Sequence, residues 1–231
     1  MTDKKTVKLA ALATLVALNF SAKADVIDFN GLAGTYMPGA TWVADGLYTY
    51  FDHPSTVGGY TFSTPNDAHW YAGVMNSIIF CGGSSVDCAN NGTDYLLSQP
   101  HLVINRSNGG TFNLNALDLD NFYDGNNNPA RSYLLTGKLA NGSTITRTLT
   151  LDDVPNSVTS GTAAAFNHFT FPEFKNLTQV DIVQQDIGNW GGFALDNLDV
   201  SNVSAVPEPS AWAMLSVGMA GLLWARKKRR A

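Results

Sequence analysis

Apolar and alternating runs recur along the chain, separated by clusters of turn residues: "DVIDF", "GLYTYF", "GYTF", "SIIF", "PHLVIN", "GTFNLNALDL", "SYLLTGKL", "STITRTLTL", "FNHFTF", "TQVDIV" and "GFALDNLDV". Few exceed ten residues, and they are not interleaved with helical patterns. Such spacing predicts an all-β fold, an antiparallel sandwich or barrel, rather than strand–helix units. No period of 20–50 residues repeats, so the chain is not a solenoid.

Two stretches predict their own geometry. In "SYLLTGKLANGSTITRTLTL", Tyr133, Leu135 and Leu139 share odd parity with Ile145, Leu149 and Leu151. A two-residue turn at Asn141-Gly142 would set each apolar face against the other strand's threonines. A three-residue loop, Ala140-Asn141-Gly142 with Gly142 left-handed, matches apolar to apolar. Thr144, Thr146, Thr148 and Thr150 then form a solvated face, and Arg147 reaches an edge or an Asp. In "GFALDNLDV", Phe193 and Leu195 have opposite parity to Leu198 and Val200. A bulge near Asp196-Asn197 reconciles them and re-aims Asp196.

The two ends are of a different character. Residues 1–24 have a basic start (Lys4, Lys5, Lys8), an apolar run from Leu9 to Leu18 and a small-x-small site, Ala22-Lys23-Ala24. This is the pattern of a signal peptide, cut by signal peptidase after Sec export, so the mature chain begins near Asp25. After a body spanning residues 25–200, residues 201–209 read as a linker with two prolines. Residues 210–225 are uncharged and mostly apolar. As a helix they are about 24 Å long, short of the roughly 30 Å of a hydrocarbon core. Trp212 and Trp224 flank this single transmembrane helix, and Arg226, Lys227, Lys228, Arg229 and Arg230 (tail 226–231) stay cytoplasmic.

Between the ends, charge is one-sided. Arg106, Arg131, Lys138, Arg147 and Lys175 face 17 acidic residues, 16 of them Asp, a net of about −12. Nucleic acid is excluded as a partner, because that field repels phosphates. Asp favours turns where Glu favours helices, which again points to β structure. The two cysteines, Cys81 and Cys88 in "CGGSSVDC", suit a disulfide in an exported chain. Its loop would stabilise the fold by roughly 2.5 kcal/mol.

Val206-Pro207-Glu208-Pro209-Ser210, the apolar segment with "GMAGLLWA" and the basic cluster together resemble the PEP-CTERM sorting signal of Gram-negative bacteria. The resemblance implies recognition by an exosortase, cleavage near Pro-Glu-Pro, and release to the cell surface or extracellular matrix. A transient inner-membrane anchor with a periplasmic domain precedes that release. Products of this family are associated with exopolysaccharide and biofilm. The body also looks like those members whose last strand reads "GFALDNLDV", which resemble jelly-roll β-sandwiches of carbohydrate-binding type. That likeness implies a structural Ca²⁺ between first and last strands, for which Asp28 and Asp196 are the candidates.

Trp42, Trp70, Tyr71 and Trp190 fall beside turns, in "GATWVADG", "NDAHWYAG" and "GNWGGF", where exposed rings could stack on a pyranose. Catalytic motifs are not apparent. Glu173 is the only Glu of the body, and the four histidines lack metal-ligand spacing. The reading is a non-enzymatic surface or matrix protein; the competing class is a matrix-acting hydrolase such as a glycosidase using an Asp pair.

Overall fold

The computed structural model describes residues 24–44, 46–51, 53–65, 72–76, 89, 91–122, 132–151, 166–185, 192–203 and 219. The chain divides into two compact units, Lys23–Val203 and a second formed by Met1–Ala22 with Ser204–Ala231, of which only Met219 is described.

Its described residues form fourteen strands: β1 (Ala24–Ile27), β2 (Ala40–Ala44), β3 (Tyr48–Phe51), β4 (Ser55–Val57), β5 (Tyr60–Ser63), β6 (Ala72–Asn76), β7 (Asp94–Ser98), β8 (His101–Arg106), β9 (Phe112–Phe122), β10 (Ser132–Leu139), β11 (Thr144–Thr150), β12 (Asn167–Thr170), β13 (Leu177–Gln184) and β14 (Gly192–Asn202). Every pairing is antiparallel, and the hydrogen-bonded path is continuous: β2-β3-β6-β7-β14-β9-β13-β8-β5-β4. β1 adds to β14, β12 to β9, and β10 carries β11 onto β13. The all-β antiparallel expectation therefore holds, as one sheet and not two separate ones. The sheet is pinched where β9 meets β13, at the single paired position Phe112–Leu177.

The two sides of that pinch share one core. From one come Phe51, Val74, Leu96, Leu114, Leu119, Phe193, Leu195, Leu198 and Val200; from the other come Phe62, Leu102, Ile104, Tyr133, Leu135, Val180 and Ile182. All are at most 2 % exposed, and burying each such side chain stabilises the fold by about 1.5–3 kcal/mol. A smaller cluster of Met75, Ala89, Tyr95, Leu97 and Ala194 lies on the opposite face of β6, β7 and β14, packed with Tyr50 and Phe166. β7 is thus covered on both sides, and all five of its residues are buried.

Both geometric expectations are met. Leu135 pairs with Arg147 and Tyr133 with Leu149, odd to odd, and Thr136 with Thr146, even to even, across a loop of residues 140–142. Leu139 N–H donates to the Ser143 carbonyl, and Gly142 adopts φ 86°. Arg147 reaches an edge strand, not an Asp: its Nη1 donates to the Thr170 carbonyl at 2.6 Å and stands 3.8 Å from Glu173 Oε1. In β14 the register shifts after Asp196, and Asn197 takes φ 48°, a left-handed conformation that Asn tolerates. The bulge falls where β14 changes partners on one edge. β7 pairs with Phe193–Leu195, and β1 pairs with Leu198–Ser201.

Several expectations concern residues outside the described set. The signal peptide, the sorting motif Val206–Ser210, the segment 210–225 and the basic tail lie there, apart from Met219. Among the described residues no helix is long and apolar enough to cross a membrane. Nor do the described residues hold a disulfide, since both Cys81 and Cys88 lie outside them.

Candidate functional site

Strand alternation and register place one set of side chains on the face of β2, β3, β6, β7, β14 and β9 that points away from the main core. Trp42 is opposite Tyr50, Tyr50 opposite Gly73, Gly73 opposite Leu97, Leu97 opposite Ala194, and Ala194 opposite Asp120. The neighbouring row runs Tyr48, Met75 and Tyr95, and it ends on Asp196, Asp118 and His168. This face has an aromatic end and an acidic end. The four strand spacings from β2 to β14 separate them by roughly 19 Å.

At the aromatic end, Trp42, Tyr48 and Tyr50 make one surface. Ring centroids lie 5.3 Å apart for Trp42–Tyr48, 6.2 Å for Trp42–Tyr50 and 4.7 Å for Tyr48–Tyr50. Trp42 is 63 % exposed, although an indole is among the largest apolar groups available for burial. Tyr50 has room in this cluster because the β6 residue opposite it, Gly73, has no side chain. A Cβ on Gly73 would sit 2.7 Å from Tyr50 Cδ1 and 2.6 Å from the Thr49 carbonyl oxygen. Contacts from below hold the hairpin. Thr49 Oγ1 donates to the Thr35 carbonyl at 2.7 Å, and Asn76 N–H donates to the Leu47 carbonyl at 2.9 Å. Asp94 secures the supporting loop, accepting Gly31 N–H at 2.9 Å, Ala33 N–H at 3.2 Å and the Asn76 amide at 2.9 Å.

At the acidic end, Asp196 and Asp118 are direct cross-strand neighbours. Asp196 is buried, and both its oxygens accept hydrogens. Oδ2 takes Asn91 Nδ2 at 2.7 Å and Thr93 Oγ1 at 3.0 Å, while Oδ1 takes its neighbour Asn197 N–H at 2.8 Å. Burial pushes its carboxyl up to about 6, the Asp118 charge adding to the rise and these three hydrogen bonds opposing it. Asp118 is bonded to His168 Nδ1 at 2.6 Å and to Asn197 Nδ2 at 2.7 Å.

The structure places the sequence-derived candidates unevenly. Trp42 stands exposed on the platform, whereas Trp70, Tyr71 and Trp190 lie outside the described residues. Asp28 is exposed and accepts Asn30 N–H at 3.3 Å within its own turn. Among the described residues no group of three His, Cys, Asp or Glu gathers as a metal site. Asp196 already accepts three hydrogen bonds from Asn91, Thr93 and Asn197. Sequence reading missed Tyr48 and Tyr50. Their signal is the alternation in "YTYF" with a glycine in the partner strand, and only the pairing turns it into a surface.

No curated protein matches the chain by sequence. Among solved structures, a DUF4465 family protein from Bacteroides caccae is similar at 13% identity, covering 78% of this chain and 100% of that one, with a TM-score of 0.45. A variant of a family 29 carbohydrate-binding module is similar at 13% identity over 78% of this chain and 93% of that one, with a TM-score of 0.33. The cleaved adhesin domain of Lys-gingipain is similar at 14% identity over 67% and 99%, with a TM-score of 0.34. Residues 205–229 match the PEP-CTERM protein-sorting motif, three residues beyond the end of β14. The chain is therefore a PEP-CTERM domain-containing exported protein, sorted by an exosortase to the cell surface or the extracellular space.

Proposed function

We propose that this protein is a non-enzymatic component of the cell surface or extracellular matrix that associates with exopolysaccharide through the Trp42–Tyr48–Tyr50 platform. The body acts as a jelly-roll-like β-sandwich that presents this platform at one end of its sheet. Sec export and signal peptidase release the N-terminus. The apolar segment 210–225 then holds the chain in the inner membrane until exosortase cuts near Pro207-Glu208-Pro209. The observation that carries the reading is the exposure of Trp42 in contact with two tyrosines. A pyranose presents an apolar C–H face that fits such a surface, and the tyrosine hydroxyls supply polar partners at its rim.

The test is retention on the host's own exopolysaccharide, immobilised on beads, for the protein and its Trp42→Ala variant. Removing a stacking indole should weaken retention by about tenfold, equivalent to about 1.4 kcal/mol, while the melting temperature stays within about 2 °C, since Trp42 is a surface residue. Undiminished retention of the variant would overturn the reading.

One observation favours a second reading, a matrix-acting hydrolase. Asp118 and Asp196 are adjacent carboxyl groups in unequal environments, the pattern of an acid and its partner. Burial of Asp196 behind Asn91 and Thr93 weighs toward a structural role. Release of reducing ends from the polysaccharide, abolished by Asp196→Asn, would reverse that preference.

A further inference from the structure

We infer that the glycan taken by the platform is an uncharged one, recognised over one or two sugar units; the inference rests on the binding role proposed above. Two features of the site point to it.

The first is charge. The body carries five basic residues, and four of them are described: Arg106 in β8, Lys138 in β10, Arg147 in β11 and Lys175 between β12 and β13. None lies on β2, β3, β6 or β7, the strands that build the aromatic end. Three already have partners. Lys138 stands 3.6 Å from Asp181, Arg147 is held by Thr170 and Glu173, and Lys175 donates to Asn115 at 2.9 Å. The residues that flank β3 in sequence include Asp45 and Asp52. Recognition of a uronate, sulfate or pyruvate group ordinarily uses an Arg or Lys in a charge-assisted hydrogen bond. The platform strands offer none, and the surrounding acidic field repels an anion over about 10 Å at 0.1 M salt.

The second is size. The three ring centroids form a compact triangle with sides of 4.7, 5.3 and 6.2 Å, not a row. Beyond Tyr50 and Tyr48 the same face passes to Met75, Leu97 and Tyr95, which are buried. Among the described residues the apolar surface open to solvent therefore ends after one or two pyranose widths, and no long cleft continues it along their strands.

Affinity electrophoresis of the full chain and its Trp42→Ala variant tests this with three probes: galactomannan, hydroxyethylcellulose and alginate, each at 20 and 300 mM NaCl. The expected result is retardation by at least one of the two neutral polymers, unchanged within twofold between the salt concentrations, and reduced about tenfold by Trp42→Ala. Alginate should give none at either salt. Retardation by alginate that is lost in Trp42→Ala and weakens at 300 mM salt would overturn the uncharged assignment while leaving the binding role standing. Retardation indifferent to Trp42→Ala would remove the binding role itself, and none by either neutral polymer would overturn the uncharged assignment. For a neutral polymer that binds, its tetrasaccharide should compete no more than threefold better than its disaccharide; a gain of tenfold or more would overturn the site size.

Discussion

Asp196 shows how a single carboxyl sets the acid response of this body. Its folded pKa of about 6 lies above the ordinary carboxylate value, so the native state holds its proton more tightly than the unfolded chain. Stability from this group is greatest below about pH 4. It falls as pH rises toward 6, and above that the charged form costs about 3 kcal/mol. Asp181 works in the opposite direction. Burial alone would raise it, but hydrogen bonds from His101 and Gln179 and the charge of Lys138 outweigh burial and hold it low. Its stabilisation is present at neutral pH and is lost in acid. Asp196→Asn should therefore raise the melting temperature at pH 7.5 and flatten its decline between pH 4 and 7. A lower melting temperature at pH 7.5 would show that the hydrogen bonds from Asn91, Thr93 and Asn197 matter more than the buried charge. None of this was legible in the sequence, where Asp196 stood out as a bulge residue and as a candidate calcium ligand. Its partners Asn91 and Asp118 are remote along the chain and arrive through strand pairing.

At the scale of elements, legibility followed burial. β10 and β11 were readable because one face is wet and parity survives; β14 is buried along most of its length, but Asp196, Asp199 and Ser201 still interrupt its apolar residues. Parity located the three-residue loop that ends on Gly142 and the bulge before Leu198. β7 was not readable: "DYLLS" is buried on both faces, so no alternation marks it. β6 was missed for a related reason, since Gly73 and Met75 face a second apolar cluster instead of solvent. β4, at three residues, is too short for a pattern to register. The glycine in β6 carries the sharpest prediction at this scale. Gly73→Ala places a methyl group against the Thr49 carbonyl and the Tyr50 ring, and backbone cannot yield as a side-chain tip would. The variant should lose about 1–3 kcal/mol, read from its denaturant midpoint, and its near-UV circular dichroism should change as Tyr50 is displaced. An unchanged spectrum would mean that Tyr50 keeps its place without the room left by Gly73.

For the whole molecule, the sequence announced destination more clearly than action. The order of Pro-Glu-Pro, apolar segment and basic cluster is contiguous and can be read without folding, whereas the platform is assembled from two strands against a third. The protein recovered from culture medium should have an intact mass that fits a chain beginning near Asp25 and ending upstream of residue 211. A mass equal to all 231 residues would contradict both processing steps.

The place of β14 in the sheet imposes an order on maturation. It is the last strand among the described residues, yet it is bonded to β7, β1 and β9 together. Until residues 192–202 have emerged, three earlier strands wait with open edges, a state prone to pairing with other chains. Completion of the sheet and presentation of the cleavage segment therefore fall within a few residues of synthesis of each other. A ribosome that stalls before that point leaves a chain that is neither folded nor addressed.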